Sequence, residues 1–243
     1  MYLTIEELSG LRILNSLFSL IFVLVSIMIA LRILSKYVTT KHRDLIPVGL
    51  AWVLLSTPWW SPAFNLVTVY FFNYSIDPPI YLFIMTAFIP YALICWIYAF
   101  SKLTYPESKK KIFYPFLIIC LAYSAVFMIL FLIKMDFIAK YEGGFTYHRT
   151  FFNIGFLLFT VISAIVSGIL FTRRSLQSPN PEIRWKGRFL LIAFFSFVGG
   201  ATMDIFSRGN IILQLSARIL LIISAICYYL GFFLPPKLKQ LLV

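Results

Sequence analysis

Two ionisable side chains, Asp204 and Arg218, lie inside long apolar stretches and are the residues best placed to do chemistry. A charge at membrane depth costs free energy, usually faces the interior of a helix bundle, and often marks a functional site. With a rise of 1.5 Å per residue, Asp204 lies about 24 Å along a helix from Arg188, and Arg218 lies about 25 Å from Pro235. Because the two stretches are consecutive and antiparallel, the two charges are predicted at similar depth, near the same boundary of the membrane.

This predicted pair has a structural and a functional interpretation. A salt bridge between Asp204 and Arg218 would pin the last two spans together, or Asp204 would pair with Arg208 at the surface. Alternatively, the two charges form the floor of an outward-facing ligand pocket. Aromatic residues near the same boundary could line this pocket, or they could form the belt that lies at headgroup level. The candidate ligand-binding residues are Asp204, Arg218, Trp59, Trp60 and Tyr81.

The sequence argues against catalysis and against a bound metal or cofactor. Its two histidines, His42 and His148, are predicted on opposite sides of the membrane, so they cannot converge on one metal. The last apolar stretch has no lysine that could form a Schiff base with retinal. No paired carboxylates, glycine-rich phosphate loop or nucleophile elbow is present. We therefore expect no catalytic residues, no metal site and no cofactor.

The composition is that of a helical membrane protein. Of the 243 residues, 61% are hydrophobic and 12% are charged, whereas soluble domains carry about 25% charged residues. The apolar blocks reach the roughly 20 residues that cross a bilayer as a helix, and they lack the alternation of a membrane β-strand. The three cysteines all fall in apolar blocks and are expected to be small core residues.

We predict a single all-α domain over residues 1-243, a polytopic bundle of seven transmembrane helices. The second span is expected to break where Pro58 and Pro62 remove backbone donors, and Pro90 is expected to kink the third span. Small residues on the fifth span, between Ser163 and Gly168, are expected to form a helix-packing face. The predicted spans are 12-35, 45-62, 80-100, 112-133, 150-172, 187-206 and 211-234.

The distribution of basic residues predicts the orientation of the chain. Of the 21 Lys and Arg residues, fifteen lie in or beside the odd-numbered loops and the C-terminal tail, and five lie on the other side. The positive-inside rule then places the N-terminus outside and the C-terminus in the cytoplasm of a multi-pass cell-membrane protein. The net charge of +12 is accounted for by helix ends that face anionic lipid, so no nucleic-acid partner is expected.

A family resemblance covers mainly the last three spans. It is carried by SPNPEIRWKGRFLLIAFFSF, which begins at Ser178, and by CYYLGFFLPPKLK, which begins at Cys227. These runs resemble a pattern in seven-helix archaeal membrane proteins of unassigned function, and they are similar to the membrane-embedded sensory heads of archaeal histidine kinases. The resemblance implies a receptor-like or sensor-like bundle. Because seven residues follow Pro236, we expect no kinase domain. A signal would then be passed on by a separate membrane or cytoplasmic signalling partner.

Three functions from different classes fit these observations. A receptor or sensor without catalytic activity is favoured, because the ionisable residues lie near the outer boundary and the midplane is apolar. A small-solute carrier is the second, since Asn15 and Asn153 open corresponding spans of a weak three-one-three repeat, but a carrier needs a polar midplane site. An accessory or structural membrane subunit is the third. Uptake into proteoliposomes would favour the carrier, and stoichiometric co-purification of one membrane partner would favour the accessory role.

Overall fold

The computed structural model describes residues 10–43, 45–141, 147–207 and 210–242. These residues form ten α-helices, a short 3-10 helix at Thr57–Trp59, another at Met135–Phe137, and an antiparallel hairpin of strands β1 (Ala139–Tyr141) and β2 (Tyr147–Arg149). The helices are α1 (Gly10–Thr40), α2 (Leu45–Leu55), α3 (Trp60–Phe72), α4 (Pro78–Thr86), α5 (Ile89–Thr104), α6 (Lys109–Ile133), α7 (Phe151–Leu176), α8 (Pro181–Phe206), α9 (Ile211–Phe232) and α10 (Pro236–Leu242).

Six helical segments in the described residues are long and apolar enough to cross a membrane. They are Gly10–Thr39, Pro78–Thr104, Lys109–Ile133, Phe151–Leu176, Pro181–Phe206 and Ile211–Phe232. The predictions of an all-α fold and of several helices that could cross a membrane are therefore confirmed. The predicted second span is not among the six, because it is divided into two helices, α2 and α3, that are each too short.

The division between α2 and α3 falls at the predicted proline pair. Pro58 has no N–H to give to the carbonyl of Leu54, and the Thr57 hydroxyl donates to that carbonyl instead, at 2.7 Å. Ser56 donates in the same way to the carbonyl of Val53, also at 2.7 Å. The helix resumes as α3 and continues to Phe72, beyond the predicted end of the span at Pro62.

The predicted third span also has a break, just before its proline. Helix α4 ends at Thr86, a turn follows at residues 87–88, and Pro90 lies in the first turn of α5. Proline is accepted there because the first-turn N–H groups have no helical partner. The expected distortion near Pro90 is therefore present as an interruption between two helices.

Six of the helices form a closed ring, and α6 lies outside it. Going round the ring, α1 packs on α2, α2 on α5, α5 on α7, α7 on α8, α8 on α9, and α9 on α1. Helix α6 packs mainly on α5. Of the 18 most apolar consecutive residues of α6, 17% are buried, whereas 61% are buried in the corresponding stretch of Pro78–Thr104. Helix α6 therefore presents most of its apolar surface outward, away from the other helices.

Glycines allow the close packing of α7, α8 and α9. A methyl group at Gly168 would lie 2.5 Å from the ring of Phe194, and one at Gly231 would lie 2.4 Å from Leu190. Ser163, Ala164 and Ser167 are buried with Gly168, so the predicted packing face of the fifth span is confirmed. Asn210 caps α9 by accepting hydrogen bonds from the N–H groups of Ile212 and Leu213.

Candidate ligand-binding cleft

A cleft of about 860 Å³ opens at the end of the bundle that carries the β-hairpin. We call it the hairpin cleft. Its walls come from the N-terminal parts of α1, α7 and α9, the C-terminal end of α8, the α2–α3 break, α4 and the hairpin itself. The polar residues that line it are Arg12, Asn15, Ser16, Asn65, Tyr81, Lys140, Tyr147, His148, Arg149, Thr150, Asp204, Ser207, Gln214 and Arg218.

The floor of the hairpin cleft contains the predicted ion pair. An Nη of Arg218 lies 2.7 Å from Oδ1 of Asp204, and the two side chains are 6% and 11% exposed. The Nε–H of Arg218 donates to the hydroxyl of Ser19 at 2.8 Å. Cζ of Arg218 also stands 5.9 Å from the centre of the Trp59 ring. One guanidinium thus ties α9 to α8, to α1 and to the α2–α3 break.

A second guanidinium approaches the same carboxylate. Arg149, the last residue of β2, places an Nη 3.9 Å from Oδ2 of Asp204, and its side chain is 13% exposed. The two oxygens of Asp204 therefore face two different arginines. Since 3.9 Å is too long for a hydrogen bond, the Arg149 contact is purely electrostatic.

A chain of amide and hydroxyl groups continues the Arg218 network toward the mouth of the cleft. The side-chain amide of Asn15 donates to the side-chain amide oxygen of Gln214 at 3.1 Å. The side-chain amide nitrogen of Gln214 donates to the Ser207 hydroxyl at 3.4 Å. On α1, Asn15 and Ser19 are four residues apart, and Gln214 and Arg218 have the same spacing on α9. This spacing puts each pair on one helix face, so the two polar faces meet each other.

Stacked tyrosines anchor the hairpin above the floor. The rings of Tyr81 and Tyr147 are stacked with centroids 5.7 Å apart and an interplanar angle of 17°. The Tyr147 hydroxyl donates to the carbonyl of Pro78. Below them, the Ser61 hydroxyl donates to the carbonyl of Tyr81 at 2.7 Å. These contacts hold β2, and with it Arg149, against the start of α4.

Three of the five predicted ligand-binding residues line the hairpin cleft and two do not. Asp204, Arg218 and Tyr81 are on its surface. Trp59 is buried beneath the floor, where its ring packs edge-on against Phe22 at 5.1 Å. Trp60 lies outside the described lining, with its ring N–H donating to Ser56 at 2.9 Å. The 3-10 turn directs these neighbouring tryptophans to different places, which sequence spacing alone does not indicate.

Other aromatic residues near this end of the bundle fit the alternative interpretation of an aromatic belt. Tyr70, Phe71, Phe72 and Tyr74 are all exposed at the end of α3 and in the turn after it. None of the four lines the hairpin cleft. Exposed aromatic rings at a helix end are typical of the headgroup zone. The alternative partner for Asp204, Arg208, lies outside the described residues.

Sequence reasoning missed Ser19, Gln214 and Arg149 as members of this site. The matching four-residue spacing of polar residues on α1 and α9 was an available signal, because two polar faces on apolar helices tend to meet. No comparable signal indicated Arg149, which reaches Asp204 because the hairpin folds back over the bundle.

Comparisons of the chain with protein-family models, with curated proteins and with solved structures found no match.

Proposed function

We propose that this chain is a receptor-like or sensor-like integral membrane protein without catalytic activity, and that its ligand binds in the hairpin cleft. The observation that carries the proposal is the Asp204–Arg218 pair on the floor of an 860 Å³ cleft. Ligand pockets commonly have volumes of about 300–1,000 Å³ and a few converging polar groups. The resemblance of the last three spans to archaeal sensory heads supports the same function.

The proposed topology has seven spans, with α2 and α3 together forming the second. Helix α2 begins five residues after α1 ends, and α3 ends close to the start of α4, beside the hairpin cleft. We place the N-terminus outside and the C-terminus in the cytoplasm of the cell membrane, which makes the hairpin cleft outward-facing. The basic residues at the opposite end would then contact anionic lipid.

The floor of the cleft gives a physical route from ligand to helix packing. Arg218 holds Asp204 of α8 and Ser19 of α1, so one side chain determines how three helices meet. A ligand that binds either member of the pair competes with these contacts. It would therefore favour one arrangement of α1, α8 and α9 over another, which is what a receptor requires.

The second candidate function is a small-solute carrier, which the order of the helix ring favours. Elements α1, α2 and α5 follow each other round the ring as α7, α8 and α9 do, with α6 outside, as a three-one-three repeat requires. However, the layer below the cleft is filled. Trp52 stacks on Tyr228 with centroids 3.9 Å apart, and the void beside them is about 20 Å³. We therefore favour the receptor over the carrier. An accessory or structural subunit stays the third alternative.

The test uses purified wild-type protein, a broad library of small polar and amphiphilic compounds, and thermal unfolding. We expect at least one compound to raise the melting temperature of the wild type and not that of the Asp204→Leu/Arg218→Leu double variant. The stabilising compound is then offered to proteoliposomes. Uptake that the double variant lacks would make the protein a carrier, and a library without any stabilising compound would contradict a ligand-binding role.

A further inference from the structure

The hairpin cleft has an unequal charge balance. Among the described residues that line it, four are basic, namely Arg12, Lys140, Arg149 and Arg218, and one is acidic, Asp204. The described lining therefore has three more basic than acidic residues. Apart from Lys134, the other described basic residues lie toward the opposite ends of the helices, whereas Arg149 and Arg218 line the cleft.

The floor shows where this surplus is concentrated. Arg218 has a short contact with Asp204, at 2.7 Å, and a hydrogen bond to Ser19. Arg149 shares the same carboxylate only through the 3.9 Å contact, although its side chain is 13% exposed. A charge that is largely removed from water costs free energy unless it is paired and hydrogen-bonded. Among the described residues, Arg149 therefore has no anionic partner at hydrogen-bonding distance.

A guanidinium in this position selects a particular kind of ligand group. Its planar fork of N–H donors matches the two oxygens of a carboxylate or phosphate and can bind them with two parallel hydrogen bonds. The walls also contain apolar side chains, which include Leu66, Met85, Ile154 and Ile205. The complementary ligand carries an oxyanion at one end and an apolar body.

We propose that the hairpin cleft recognises an organic oxyanion on an apolar body, with the oxyanion bound by Arg149 beside the Asp204–Arg218 pair. The proposal rests on the proposed function, because it names the ligand class of the same cleft. A free carboxylic acid and an anionic lipid headgroup share this chemistry. The oxyanion places a second negative charge beside the Asp204 carboxylate, so its binding alters the contacts that Arg218 makes with α8 and α1.

The experiment measures the melting temperature of the full chain in neutral detergent with matched probes. The acids are the straight-chain monocarboxylates from butanoate to decanoate, compared with primary amines and alcohols of the same chain lengths. A short-chain phosphatidylglycerol is compared with the phosphatidylcholine of the same acyl length. We expect an acid, the phosphatidylglycerol or both to raise the melting temperature by roughly 5 °C at about a hundred times Kd. A shift with an acid indicates that the ligand is a free acid, and a shift with the phosphatidylglycerol indicates a lipid headgroup.

Two charge-removing variants separate recognition at the floor from a general effect of charge. Arg149→Gln should abolish the shift that the acidic probe gives. Arg184→Gln removes one positive charge from an exposed site on the first turns of α8, at the other end of that helix from Asp204, and should keep the full shift. Arg149→Lys keeps the charge without the planar fork and should keep a reduced shift. A full-sized shift in Arg149→Gln would overturn the proposal.

The comparison of probes needs only the wild type, so it tests the oxyanion proposal even if Arg149→Gln does not fold. If amines or alcohols stabilise the protein as well as the acids do, the oxyanion proposal is wrong while a ligand-binding cleft remains. If neither these probes nor the broad library stabilise it, both the oxyanion proposal and the proposed function are wrong.

Discussion

Asp204 and Arg218 are 14 positions apart on antiparallel helices, and their side chains meet at 2.7 Å. The pair lies in the last turns of α8 and in the second turn of α9, so it joins the two helices close to the connection between them. Both side chains are almost entirely removed from water. Removal of one partner alone would therefore leave an uncompensated buried charge at this end of the bundle.

We predict that the two single substitutions in this pair have unequal costs. Asp204→Asn leaves Arg149 and Arg218 without a carboxylate, and should destabilise the protein by roughly 3–5 kcal/mol. Arg218→Leu leaves Asp204 with Arg149 at 3.9 Å, so its cost should be smaller. Thermal unfolding of the purified variants in detergent measures both, and equal costs would mean that Arg149 contributes nothing.

The double variant Asp204→Leu/Arg218→Leu should recover much of the stability lost in the single variants, because α8 and α9 then bury no charge and only the more distant Arg149 loses its carboxylate. Asp204→Leu alone completes the double-mutant cycle, and strictly additive costs in it would show that the two residues do not interact.

We predict that Ser19→Ala weakens the network and that Ser26→Ala does not. Both serines are fully buried on α1, seven residues apart. Ser19 accepts a hydrogen bond from Arg218 at 2.8 Å, whereas the Ser26 hydroxyl has no partner among the described residues. A hydrogen bond to a charged group contributes about 1.5–3 kcal/mol. The free energies of unfolding of the two variants should differ by about that amount. A Ser26→Ala variant less stable than Ser19→Ala would refute the prediction.

We predict opposite effects for two glycine substitutions on α7. Alanine at Gly168 would place a methyl group 2.5 Å from the Phe194 ring, so α7 and α8 must separate and stability should fall by about 1–3 kcal/mol. Alanine at Gly155 meets nothing within 4 Å, and should be neutral or stabilise the helix by up to about 1 kcal/mol. Melting temperatures of the two variants test this, and equal values would mean that the α7–α8 contact tolerates an extra methyl.

We predict that Ser75 and Ser108 lie on opposite sides of the membrane. The two residues are in the connections before α4 and before α6, at the two ends of the segment Pro78–Thr104. Cysteine would be introduced at each position in turn, after Cys95, Cys120 and Cys227 have been replaced by alanine. A membrane-impermeant reagent added to whole cells should label residue 75 and should label residue 108 only after permeabilisation. The reverse pattern would invert the proposed orientation, and labelling of both from one side would contradict the topology.

The sequence by itself determined where the helices are and how deep the buried charges lie. In lipid, every backbone N–H and C=O must be bonded within its own segment, so apolar length is sufficient to predict a helix. A fixed rise per residue then places Asp204 and Arg218 at the same depth, and the structure has them in contact. Proline chemistry in the same way predicted the break near Pro58, because a missing donor is a local property.

Only the tertiary structure decided which other side chains reach this pair. Ser19 is 199 positions from Arg218, and they meet because α1 closes the ring against α9. Arg149 reaches Asp204 because the hairpin folds back across the end of the bundle. Trp59 and Trp60 are adjacent in sequence, yet the 3-10 turn buries the first under the floor and leaves the second half-exposed. The rotation of each helix about its axis and the path of each loop depend on packing between distant segments, which local sequence patterns do not contain.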